Sequence, residues 1–97
     1  MFVGALELDV LLGDVHSLKD KRAIVRPLLA DLRRHHDVAV AEVGLQDLHR
    51  RAQIGIAVVA ADPAHCTEVL DTCERFVAAR PEVELLETHR TLRGSDD

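Results

Sequence analysis

Between residues 3 and 12 apolar and polar side chains alternate: Leu6, Leu8, Val10 and Leu12 fall on one side of an extended chain, Glu7 and Asp9 on the other. A period of two belongs to a strand with one buried face, so the pattern predicts a strand from Val3 to Leu12. After the loop GDVHS the period changes. Leu18, Val25, Leu28, Leu29 and Leu32 recur at helical spacing, which predicts a helix from about Leu18 to His35. Ser17, followed three residues later by Asp20, has the form of a capping box with Asp where Glu or Gln is usual. Pro27 is the local objection, because an interior proline removes a backbone donor and presses on the carbonyl four residues back, at a cost of about 3 kcal/mol. Either the helix kinks there, or residues 18–25 form a separate turn and the helix proper starts at Pro27.

VAVAEVG, residues 38–44, reads as a second strand and AQIGIAVVAA, residues 52–61, as a third, joined by the polar LQDLHRR. Asp62 before Pro63 is a helix start, an N-cap followed by proline in the first turn. Cys66, Val69, Leu70, Cys73, Phe76 and Val77 then make one apolar stripe that ends at Pro81. Residues 83–92 form a fourth strand, and 93–97 are expected to fray. The order strand, helix, strand, strand, helix, strand is a split βαβ unit. It predicts a single ferredoxin-like α+β domain over residues 1–97, with a four-stranded antiparallel sheet, strands one and three central, and both helices on one face.

The third strand is apolar on both sides. Ile54, Ile56 and Val58 suit the face beneath the helices, which leaves Gly55, Ala57 and Val59 on the other. Small apolar residues on an open face point to a cover, most simply a second copy of the chain in a homodimer.

Charge changes the picture next. The net charge is −5, yet residues 16–36 alone carry Lys19, Lys21, Arg22, Arg26, Arg33 and Arg34 against Asp20 and Asp31, so one basic helix sits in an acidic body. Several of these cations crowd the first turn of the helix, where the macrodipole disfavours positive charge by tenths of a kcal/mol each. A phosphate would be attracted there by the free backbone donors, the dipole and the side chains together. The anion- or RNA-binding set is therefore Ser17, Lys19, Lys21, Arg22, Arg26, Arg33 and Arg34, extended by Arg50 in the 45–51 loop, where Gln46, Asp47 and His49 add polar contacts. The competing reading is a solvated face that balances the acidic body.

The chain has two Phe and no Tyr or Trp, so an open sheet face that stacks bases is not expected, and Glu7 and Asp9 would repel phosphates there. No GxGxxG, no nucleophile beside a base and no histidine pair at i, i+4 occurs. No catalytic residue, metal site or cofactor is assigned. Cys66 and Cys73 lie seven residues apart on one helix, about 10 Å along its axis and too far for a disulfide. Two free thiols and an apolar start cut by Glu7 and Asp9 suggest a cytoplasmic protein with no membrane span.

HSLKDKR after an alternating first strand, then VAEVG, QDL and RAQIGIAVV, resembles the YlxP-like family of small bacterial proteins, over residues 3 to about 92. The resemblance implies a ferredoxin-like domain. Genes of this family often neighbour those of translation initiation and ribosome maturation, which implies a partner such as ribosomal RNA or a ribosome-assembly factor. Pro27 and His49 depart from the family pattern, where an ordinary helix former and an aromatic residue are usual. The sequence thus favours a non-catalytic, ribosome-associated RNA-binding accessory factor. A self-assembling or protein-interaction module, and an anion-sensing domain using the same helix mouth, remain alternatives.

Overall fold

Leu6, Leu8, Val10 and Leu12 are all buried, as their alternation requires, and they lie in the middle of the sheet. The computed structural model describes residues 1–96. Its elements are β1 (Phe2–Leu12), α1 (Leu18–His35), β2 (Ala39–Gly44), β3 (Arg51–Ala60), α2 (Pro63–Ala78) and β4 (Val83–Gly94). The strands form one antiparallel sheet in the order β2-β3-β1-β4, so the central pair is β1 and β3 as the split βαβ order predicts.

Both helices pack on one face. Val25, Leu28 and Leu32 of α1 and Cys66, Leu70, Cys73 and Val77 of α2 join the β1 leucines, Ile54, Ile56 and Val58 in one core. Gly4 lets α2 approach: a Cβ there would sit 3.0 Å from Leu70 Cδ1 and 3.2 Å from Cys66 Cβ. The helix caps follow from sequence. Asp62 is extended and its carboxylate accepts from Ala64 N–H at 2.7 Å, with Pro63 in the first turn.

Two expectations change. α1 runs as one helix through the exposed Pro27, capped at Ser17, so the alternative of a helix beginning at Pro27 is not the one adopted. The fraying expected from residue 93 gives way to pairing, because Arg93 and Gly94 continue β4 opposite Val3 and Phe2, and Ser95 N–H donates to the Met1 carbonyl at 2.8 Å. Asp97 lies outside the described residues.

The registers shift at two points. β2 carries an extra residue, Val43, between Glu42 and Gly44, and β4 shifts opposite Asp9 and Val10. The Val43 side chain then lies over Gly55, where a Cβ would meet Val43 Cγ1 at 2.7 Å, so glycine at 55 makes the bulge possible.

Candidate functional site

The start of α1 is built from short polar links. Ser17 is extended, and its Oγ accepts from Asp20 N–H at 3.1 Å. Asp20 reaches one residue beyond the expected box: its Oδ2 accepts from His16 N–H at 3.1 Å. Ser17 and Asp20 therefore fix where the helix begins and settle the acidic side chain against the backbone.

Lys21 departs from the expected surface cation. Its side chain is 3% exposed, because position 21 shares the inner face of α1 with Val25, Leu28 and Leu32. Nζ donates to the Leu45 carbonyl at 2.9 Å and the Leu48 carbonyl at 2.8 Å, and lies 2.7 Å from Glu42 Oε2. Glu42 Oε2 has no aligned hydrogen bond among the described residues, so the ammonium serves it as a counter-charge. An ammonium with three donors thus ties α1 to the β2–β3 connection. That connection contains Leu45 at φ 59°, a left-handed conformation costing a non-glycine residue about 1–2 kcal/mol, and the Lys21 bond to its carbonyl helps hold it. Lys21 is a structural staple and is not available to a ligand.

Two more of the basic residues are occupied within the molecule. Arg33 Nη2 donates to the Val40 carbonyl at 2.8 Å, securing β2 against α1. Arg34 pairs with Asp31, whose other oxygen accepts from Arg80 Nη2 at 2.6 Å beyond the end of α2. The hydrogen bond from Arg80, foremost, with a smaller contribution from Arg34, holds the Asp31 carboxyl below the usual carboxylate range against the opposing effect of desolvation. Arg50 donates from Nε to the Leu12 carbonyl at 3.3 Å and keeps an exposed guanidinium.

Lys19, Arg22 and Arg26 remain. All three are exposed and make no hydrogen bond or ion pair through their side chains among the described residues. Spaced i, i+3, i+7, they share one face of α1 and span about 10 Å of its axis. Arg22 and Arg26 stand on the lip of a groove of about 430 Å³ between α1 and the β2–β3 connection, with Leu18 and Leu29 in its wall and Glu42, Gln46 and Asp47 opposite. Gln46 Nε2 donates to the Glu42 carbonyl at 3.4 Å, so it braces the groove. The basic surface is the outer lip. The floor is neutralised by the Lys21–Glu42 pair.

Nucleophilic chemistry has little to work with. Cys66 and Cys73 are free and buried, and burial pushes the Cys73 thiol up, away from the reactive thiolate. His35 and His36 pack on the Phe76 ring at centroid distances of 6.0 and 5.3 Å, while His16 faces Asp14 and His89 faces Glu87. Among the described residues no three His, Cys, Asp or Glu side chains converge as a metal site, and no helix is long and apolar enough to cross a membrane. The sequence reading missed the paired groups: Arg51 with Asp9 across β3 and β1 at 2.6 Å, Arg80 with Asp31, and Lys21 with the loop. The one local signal was the i, i+4, i+7, i+11 series formed by Lys21 with Val25, Leu28 and Leu32.

The fold is similar to that of a de novo designed protein with a ferredoxin fold, with a TM-score of 0.55 at 13% identity, over 98% of this chain and 88% of the designed one. The chain is 30% identical over 82 residues to the uncharacterized protein YlxP of Bacillus subtilis (strain 168), covering 84% of this chain and 89% of that protein. A family model described as protein of unknown function (DUF503) matches residues 3–90. That match takes in both helices, β2, β3 and the connection between them whole and most of β1 and β4, and the chain belongs to the DUF503 family.

Proposed function

We propose that the protein is a non-catalytic accessory module that binds the phosphate backbone of structured RNA, ribosomal RNA among its targets, along the outer lip of α1. Lys19, Arg22 and Arg26 make the phosphate contacts, and the exposed guanidinium of Arg50 extends them across the β2–β3 connection. The observation that carries this reading is the division of the α1 cations: Lys21, Arg33 and Arg34 have partners inside the molecule, while Lys19, Arg22 and Arg26 share one solvent face with none among the described residues. Two of the three lie within the first five residues of the helix, where their own backbone dipole opposes them and an anion relieves both.

The test is fluorescence anisotropy with a labelled ribosomal RNA hairpin at several salt concentrations. Four phosphate contacts give a slope of log K against log salt of about −3 to −4. Lys19→Ala/Arg22→Ala/Arg26→Ala should reduce that slope to about −1, the share of Arg50, and weaken binding at least about tenfold at low salt. Equal binding by the triple variant and the parent refutes the site. Lys21 is left in place, since removing it disturbs the loop instead of the surface.

A further inference from the structure

The face of the sheet turned away from the helices has no covering element among the described residues. Its middle consists of two transverse rows fixed by the strand registers. One row is small: Ala39, Ala57, Ala5 and Thr91. The next holds Ala41, then Gly55 with the Val43 side chain lying over it, then Glu7 and its register neighbour His89, and is bulkier through Val43, Glu7 and His89. Together the rows line an open depression of about 500 Å³. Outside the small row lie Val59, Val3 and Arg93; outside the bulky row lie Gln53, Asp9 and Glu87.

We propose that a second copy of this chain covers this face, related by a two-fold axis that runs across the strands between the two rows. Such an axis lays each strand over its own counterpart, reversed. The bulky row of one copy then enters the small row of the other, twice over, which is the self-complementarity a two-fold interface demands. The same operation brings Arg93 of each copy over Glu87 of the other, making two symmetric charge pairs at the β4 edge.

Size and charge both fit this occupant. Strands about 4.8 Å apart, with residues about 3.3 Å apart along them, give roughly 500 Å² per copy and 1,000 Å² in total, the lower bound for a specific interface. Val59 is 64% exposed and Val43 51%, so the burial gained is apolar. The face carries Arg51 and Arg93 against Glu7, Asp9, Glu84 and Glu87, and the two-fold sets opposite signs together where Arg93 of one copy meets Glu87 of the other. Nucleic acid fits poorly, because these carboxylates lie in its way and no Phe, Tyr or Trp ring is offered to its bases.

Sedimentation equilibrium of the full chain, from low to high micromolar concentration, tests the proposal. The expected result is a monomer–dimer equilibrium. Val59→Lys and Arg93→Glu, both at exposed positions away from the core, should each raise the dissociation constant at least about tenfold. The exchanged variant Arg93→Glu/Glu87→Arg should return it to within about threefold of the parent, because the pair is restored with its sign reversed. A parent that stays monomeric throughout overturns the proposal. So does a dimer indifferent to Val59→Lys, which would lie on a strand edge, or an exchange that fails to restore association.

Discussion

The two ends of α1 are both basic, but they use their charge in opposite ways. At the C-terminal end, where the dipole favours cations, Arg33 is bound to the Val40 carbonyl and Arg34 to Asp31. At the N-terminal end, where the dipole opposes them, Lys21 is driven inward onto the loop, and Lys19 and Arg22, with Arg26 a turn later, face water with no partner among the described residues. Formal charge along a helix therefore overstates the surface a ligand can meet. Which side of the helix a cation occupies, and whether a carbonyl or carboxylate lies within reach, decides between structural and available charge.

The sharpest way to break this contrast is at Lys21. Lys21→Met keeps the aliphatic stem but leaves Glu42 and the Leu45 and Leu48 carbonyls without their donor, so urea unfolding should show a loss of about 3 kcal/mol. Adding Glu42→Gln should recover part of it, since the orphaned carboxylate is then gone. An unchanged midpoint would show that the staple is dispensable.

A smaller effect is expected at Asp31, which joins Arg34 of α1 to Arg80. Its folded carboxyl titrates below its unfolded value, so its contribution is present above the ordinary carboxylate range and is lost as the pH falls through the lowered value. Asp31→Asn should lower stability at neutral pH and flatten the acid limb of stability against pH. Parallel curves for variant and parent would remove Asp31 from the account. The smallest effect belongs to the outer lip. Lys19→Ala/Arg22→Ala/Arg26→Ala should shift unfolding by no more than about 0.5 kcal/mol, with a slight gain from relief of the helix dipole, while its RNA binding falls.

The fold was legible because local patterns and topology agreed. β1 alternates cleanly, α1 has both its cap and its apolar series, and Asp62-Pro63 marks the start of α2 to the residue. The pairing of residues 93 and 94 was hidden, since Arg93 and Gly94 carry no strand signature and are held by the start of the central strand β1. The site was only half legible. Lys19, Arg22 and Arg26 could be named from sequence, but the internal ties of the others could not, because Lys21 and Arg33 meet β2 and its following loop, and Arg80, which shares Asp31 with Arg34, comes from beyond the end of α2. Such contacts follow from tertiary packing and bulge position, which no period in the chain records. Val43 is the clearest case, reading as an ordinary strand residue although it is the inserted one.

Lys19 and Lys21 are the chain's two lysines, one in water and the other sealed beneath the β2–β3 connection. The molecule consequently carries its own chemical clock: an amine-acylating reagent marks position 19 at once, whereas position 21 takes the label only as often as the connection opens. The ratio of the two adducts, read by mass spectrometry, measures how frequently that part of the domain lifts away.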